Sequence, residues 1–154
     1  MVCKNFVVVI QLKTIEYIDV AEESLKVLEV LSHQHHREIR TNGGIDACIE
    51  FIDFHSIHSQ QNALAICASC AQDVTQADFA HVRENLSKMT SLLRHEDRKC
   101  LEHVCTFFSR LVMSFARDSA RLGEIASHGL MTAVQQLVSQ PTHPPPHLPF
   151  DGPL

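Results

Sequence analysis

Apolar residues recur every three or four positions through most of the chain between residues 14 and 139, as they do in amphipathic α-helices. The stripe is clear in residues 20–31, with apolar residues at Val20, Ala21, Leu25, Val27, Leu28 and Leu31. The same period predicts helices over residues 45–52, 60–71, 86–93, 100–115, 122–126 and 130–138. No segment shows a useful run of the period-two alternation that a half-buried strand requires. The sequence therefore predicts an all-α fold.

Short polar breaks separate these helices. Asn42-Gly43-Gly44 predicts a helix end, because glycine tolerates the left-handed backbone that terminates many helices. Residues 54–59 predict a turn, and Thr75 and Asp78 are suitable N-caps for a helix near Phe79. The predicted helices are thus joined by tight connections.

The two ends of the chain do not follow the helical pattern. Residues 1–11 are largely apolar and have no helix caps, whereas residues 140–154 hold all six prolines. Proline removes backbone donors and blocks helix formation, so the C-terminal stretch predicts a disordered tail, with an SH3 or WW ligand as an alternative. We therefore predict an N-terminal extension over residues 1–11, helical repeats over residues 12–139 and a Pro-rich tail over residues 140–154.

The predicted helices repeat with a period near 40 residues. Residues 24–31, 63–70 and 104–111 each have a small or apolar residue followed by apolar residues four and seven positions later, at offsets of 39 and 41. A second series, with spacings of three and seven, begins at Ile45, Leu86 and Leu130. This period is typical of armadillo and HEAT arrays. The sequence predicts a right-handed helical solenoid of about three repeats, and an ordinary helical bundle with chance matches is the alternative.

Composition narrows the class of protein. Hydrophobic residues make up 45% and charged residues 20%, close to the average for soluble globular chains. The longest apolar run, residues 6–10, is far short of the roughly 20 residues that cross a bilayer, so no membrane partner is expected. A net charge of −5 with dispersed basic residues argues against nucleic-acid binding. Six irregularly spaced cysteines indicate a reducing compartment, and we expect a nuclear or cytoplasmic location.

Two sequence features could carry chemistry. Cys67 and Cys70 form a C-x-x-C pair, which can bind zinc or act in redox reactions, but both fall on apolar positions of the repeat and no second pair follows. We therefore expect them to be core residues. His33, His35 and His36 form a cluster that we interpret as a solvated helix end. We expect no catalytic residue, cofactor, metal or small-molecule substrate.

Several longer stretches resemble a known family. Residues 38–52, with their double glycine before an apolar helix, resemble the join between armadillo helices. Residues 15–22, 54–66, 93–99 and 108–112 resemble the armadillo-like region of the thyroid-receptor-interacting HECT-type E3 ubiquitin ligases, relatives of the yeast ubiquitin-fusion-degradation ligase. The resemblance covers roughly residues 12–138. It implies a large parent protein whose repeats engage substrates, while a separate HECT domain transfers ubiquitin. No HECT domain is recognisable here, so we expect no ligase activity from this chain.

The resemblance implies a function in protein binding. In armadillo arrays the third helix of each unit lines the concave surface, and the corresponding contact candidates are Glu23, Lys26, Val30, Asn62, Ala65, Ser69, His103, Thr106 and Arg110. The asparagine ladder that holds extended nuclear-signal peptides in importin-like proteins is missing. We therefore expect a protein partner or ubiquitination substrate, and self-association through uncapped solenoid ends. A stand-alone armadillo interaction module with no role in ubiquitination is the alternative.

Overall fold

Every regular element in the part of the chain that the structure describes is helical. The computed structural model describes Cys3, Lys4, Val7 and residues 16–139. The helices are α1 (Ile18–Thr41), α2 (Gly44–Ile49), α3 (Ile57–Cys70), α4 (Ala80–Arg83), α5 (Leu86–Ser91), α6 (Arg98–Ser114), α7 (Ser119–Ala126) and α8 (Leu130–Ser139). Short 3-10 helices cover Ile52–Phe54 and Leu92–Arg94. The all-α prediction is confirmed for these residues, and none of their helices is long and apolar enough to span a membrane.

The core forms where three longer helices meet. The middle helix, α3, packs against α1 and also against α6. The three helices begin at residues 18, 57 and 98, which are 39 and 41 residues apart. These are the offsets of the apolar repeat in the sequence, so equivalent helices lie next to one another.

Helix α1 is longer than its apolar stripe predicts. It continues to Thr41, with one non-helical residue, His35, at φ −115° and ψ 23°. The histidine cluster therefore lies where two helical segments meet, at the end of the first, as predicted, but no loop follows it. The second segment begins at once because no glycine or proline occurs before Gly43.

The double glycine does end α1, as predicted. Gly43 adopts the left-handed conformation at φ 80°. This conformation costs glycine little, because glycine has no Cβ atom. A Cβ atom on Gly44 would lie 2.8 Å from the main-chain oxygen of Ile39. The turn into α2 is therefore too tight for any other residue at position 44.

Side-chain caps begin several of the helices. Asp97 accepts from the backbone N–H of Cys100 at 2.9 Å at the start of α6, and Asp118 accepts from that of Arg121 at 3.0 Å at the start of α7. Asp78, which the sequence suggests as an N-cap, does not cap a helix. Thr75 Oγ1 accepts from Asp78 N at 3.3 Å in the preceding turn, but the Asp78 carboxylate binds Arg40 instead of capping α4.

The cysteine pair lies in the core, as expected. Cys67 and Cys70 are free thiols with no exposed surface. Cys3 and Val7 are also buried and belong to the same apolar cluster. Residues 8–15 and the Pro-rich residues 140–154 lie outside the described residues, so the predicted domain limits stay predictions.

Candidate protein-binding surface

The accessible face of α3 is a narrow strip of small side chains, which we call the α3 strip: Asn62, Ala65 and Ser69. Asn62 and Ala65 are half-buried, and Ser69 keeps only 7% of its surface exposed. The strip is recessed because α3 packs between α1 and α6.

On the α6 side, the strip is bordered by the predicted contact residues His103, Thr106 and Arg110. All three are half-buried. Arg110 Nη1 donates to the main-chain oxygen of Ala68 at 2.8 Å, which holds its guanidinium against α3. The structure therefore places Arg110 against α3, and helical periodicity puts His103 and Thr106 on the same side of α6.

Charges from α1 reach the same place. Burial lowers the pKa of His103, helped by Lys99 and Arg110, while Glu102 and Glu29 oppose the shift. Glu29 belongs to α1, so its carboxylate and the α6 imidazole influence each other across α3. Sequence analysis missed Glu29, because a single charged residue on a helix flank is normally just solvated.

The α1 residues named from the sequence are more exposed than those on α3 and α6. Glu23 and Lys26 form an exposed ion pair at 2.6 Å, and Val30 is 66% exposed. By helical periodicity, Glu23 and Val30 lie on the side of α1 opposite Leu25. The structure does not bring these two against the α3 strip, and a binding role for them stays a prediction.

An open pocket of about 290 Å³ continues the strip beyond the end of α3. It is lined by Gln72, Asp73, Arg110, Met113 and Ser114. Met113 is 74% exposed, and Ser114 Oγ accepts from the main-chain N–H of Val74 at 3.3 Å. The pocket therefore offers one apolar side chain between a cation and a carboxylate.

A buried arginine holds the end of α3 in place. Arg40 Nη1 donates to the main-chain oxygens of Cys70 at 2.8 Å and Gln72 at 3.0 Å, and Nη2 donates to Asp78 Oδ2 at 3.0 Å. Burial raises the pKa of Asp78, but the hydrogen bonds from Arg40 and Thr75 outweigh it and leave that pKa lowered. Arginine is rarely fully buried unless it is paired, so no signal in the sequence pointed to this residue.

The core thiols are poorly suited to reaction. A hydrogen bond with Cys48 and then burial raise the pKa of Cys67, and burial raises the pKa of Cys70. Both therefore stay protonated near neutral pH, whereas the thiolate is the nucleophile and metal ligand. The arrangement around α3 offers hydrogen bonds, charges and an apolar contact, which are the means of binding another molecule.

These features define an all-helical segment with a recessed polar surface between neighbouring helices. Its sequence matches a region of E3 ubiquitin ligases. Over 128 residues it is 41% identical to E3 ubiquitin-protein ligase TRIP12 of Danio rerio, a match that covers 83% of this chain and 6% of the ligase. It is 33% identical over 131 residues to E3 ubiquitin-protein ligase UPL3 of Arabidopsis thaliana, covering 85% of this chain and 7% of that protein.

A third relative is more distant. Ubiquitin fusion degradation protein 4 of Saccharomyces cerevisiae is 36% identical over 76 residues, which cover 49% of this chain and 5% of the yeast protein. The resemblance to the HECT-type ligase group is thereby confirmed. The chain spans less than a tenth of the length of each of these relatives. No family model matches the chain. No solved structure matches it either.

Proposed function

We propose that this chain is a docking segment of a HECT-type E3 ubiquitin ligase. It holds a protein substrate or partner in the nucleus or cytoplasm for ubiquitin-dependent degradation, while ubiquitin transfer takes place on a separate catalytic domain. The observation that carries this proposal is the α3 strip, a recessed surface with charged and polar borders in a chain that matches a region of such ligases.

We further propose that the helices form an armadillo-type solenoid. Two short helices precede a long one in the unit α4, α5 and α6. In the preceding unit, the two short helices are the part of α1 after the kink at His35 and α2, and the long helix is α3. Helices α7 and α8 begin another unit. The spacing of the long helices and the position of α3 between α1 and α6 support this arrangement.

The docking role is tested with variants on one helix. Thr106→Glu places a carboxylate beside the α3 strip, and Arg110→Glu reverses a charge there but also removes the hydrogen bond to Ala68. Val112→Glu is the matched control, because Val112 is exposed and turned about 120° from Thr106 and about 160° from Arg110 around α6. Thermal unfolding of each variant shows which of them keep the fold.

Partners of the full chain are captured from cells and compared between variants by quantitative mass spectrometry. Partners that support the proposal are lost with Thr106→Glu and kept with Val112→Glu. Their ubiquitin conjugates decrease when the chain is overexpressed as a competitor. If the captured partners keep their ubiquitin conjugates, the stand-alone interaction module is the better explanation. Equal binding by Thr106→Glu and wild type places docking elsewhere.

The proposal assigns no transfer step to this chain. Incubation with activating and conjugating enzymes and ubiquitin should give no thioester on it. A reducible ubiquitin adduct on any of its cysteines contradicts the docking-only role.

We also propose that the chain self-associates through its end helices. Val20, Val27 and Val30 are exposed on α1, and Met131, Val134 and Val138 are exposed on α8. Apolar surface at the ends of a solenoid favours contact with another molecule. Light scattering should show association that weakens when Val27 and Val30 are replaced by Lys. A wild-type monomer at all concentrations contradicts this proposal.

A further inference from the structure

A cluster of three side chains that can ligate a metal lies at the kink of α1. It consists of Cys3, His35 and Glu38. One ligand atom from each residue lies within 4.8 Å of the other two. His35 and Glu38 come from α1, and Cys3 comes from the N-terminal segment, which is more than 30 residues away in sequence.

The spacing of these atoms is close to that of a metal site. His35 Nδ1 and Glu38 Oε2 are 3.9 Å apart. Two ligands of a tetrahedral zinc ion, at about 2.0–2.3 Å from the metal, lie roughly 3.3–3.7 Å from each other. The three ligand atoms lie within 4.8 Å of one another, so side-chain rotations must bring them closer for all three to ligate one ion.

Solvent reaches the cluster through His35 and Glu38. The side chains of His35 and Glu38 are 49% and 34% exposed, whereas Cys3 is buried. An ion can thus enter from solvent, and a water molecule can complete its coordination. Burial and then the Glu38 carboxylate raise the pKa of the Cys3 thiol. The pKa values of the core thiols Cys67 and Cys70 are raised as well. Cys3 differs from them because a histidine and a glutamate that solvent reaches lie beside it, so that a zinc ion can displace its proton.

We propose that Cys3, His35 and Glu38 bind one Zn²⁺ ion, with a water molecule as the fourth ligand. One sulfur, one nitrogen and one oxygen donor suit zinc, whereas calcium and magnesium prefer oxygen alone. Binding replaces the thiol proton of Cys3 with the Zn–S bond and releases that proton to solvent. The ion joins the N-terminal segment to the kink of α1.

Cobalt binding to the full chain tests the proposal, because Co²⁺ bound to a thiolate absorbs in the near ultraviolet and a tetrahedral Co²⁺ ion also absorbs in the visible. Wild type should bind one equivalent with both absorptions, and zinc should displace the cobalt. Native mass spectrometry should show one zinc ion per chain.

Variants identify the ligands. Cys3→Ser should abolish the thiolate band and weaken metal binding by at least about tenfold. A loss of about that size already follows when a residue that only hydrogen-bonds to a metal ligand is removed. Cys3→His keeps a ligand at this position and should keep the visible bands without the thiolate band. Cys105→Ser, at an exposed cysteine, and His33→Ala, two residues before His35, are the controls and should bind as wild type does.

Three outcomes overturn the proposal. They are a wild-type chain with no thiolate-to-cobalt band, a band that persists in Cys3→Ser, and a band lost in Cys105→Ser. Circular dichroism shows that each variant keeps its helices, so that loss of binding is not confused with loss of fold.

Discussion

Helices α3 and α6 occupy equivalent places in the repeat but differ in the size of their buried side chains. Ala63 and Cys67 of α3 stand where α6 has Val104 and Phe108, and all four are buried. Helix α3 packs on α1 and on α6, whereas α6 buries mainly one face and exposes residues such as Ser109. A helix covered on two sides must carry small residues to let its neighbours approach, whereas a helix that buries mainly one face can use large ones.

The two arginines that donate hydrogen bonds to α3 or the turn after it also differ, in how deeply they are buried. Arg40 is fully buried on the α1 side with three hydrogen-bond partners, and half-buried Arg110 donates to Ala68 on the α6 side. The loss of stability on removing one of these arginines should therefore be larger on the α1 side of α3 than on the α6 side.

The largest expected effect follows from this difference. Arg40→Ala leaves the Asp78 carboxylate without its buried partner and should lower the free energy of unfolding by about 3–5 kcal/mol. Arg110→Ala should lower the free energy of unfolding by about 1 kcal/mol, because it removes one partly exposed hydrogen bond. Urea denaturation measures both. Arg37→Ala is the control, since Arg37 lies 3.4 Å from the same carboxylate but is exposed and should change stability by under about 0.5 kcal/mol. Equal costs for Arg40 and Arg110 would contradict this interpretation.

Enlarging a small residue of the middle helix should cost less. Ala63→Leu forces extra methyl groups between α3 and its neighbours and should destabilise by about 1–3 kcal/mol. Ser109→Leu, on the exposed side of α6, should stay within about 0.5 kcal/mol of wild type. Thermal unfolding of the two variants compares the helices directly. A tolerated leucine at position 63 would show that α3 is less tightly enclosed than the burial indicates.

Shortening a core cysteine should have a smaller effect. Cys67→Ala or Cys70→Ala should destabilise by about 1–2 kcal/mol through lost packing and should leave zinc binding unchanged. In the native protein, thiol reagents should label exposed Cys105 well before either of them. Burial, followed by the hydrogen bond to Asp97, raises the pKa of Cys100 to about 12, so it should also react slowly. Mass spectrometry of partly labelled protein gives the order, and early labelling of Cys67 would disprove it.

The smallest expected effect is a pH dependence at the start of α3. The side chain of His55 is fully buried, and burial lowers its pKa although Glu22 Oε1, 3.8 Å from Nδ1, opposes the shift. The unfolded state then binds a proton more readily, so stability falls as pH drops through about 6.5 and levels off below the folded-state pKa. His55→Gln should reduce this slope in urea titrations between pH 7 and 5. Exposed His58→Gln is the control and should keep the wild-type slope. An unchanged slope in His55→Gln would rule out His55 as its source.

Local chemistry made much of this fold predictable. The 3.6-residue period places apolar residues on one side of each helix, and glycine alone tolerates the backbone at positions 43 and 44. The repeat offsets predicted which helices lie side by side. The same offsets predicted that Cys67 and Cys70 lie in the core, because their positions match buried leucine and phenylalanine in the other helices.

Tertiary structure alone decided where the polar groups meet. Arg40 pairs with Asp78, Glu29 reaches towards His103 and Cys3 approaches His35, although each pair is separated by more than 30 residues. The α3 strip is likewise a consequence of packing, since Ala65 is recessed only because α1 and α6 stand on both sides of it. Polar residues show no periodicity that distinguishes a solvated side chain from a partnered one. Their roles depend on how the helices stack, and the stacking energy comes from apolar contacts elsewhere in the chain.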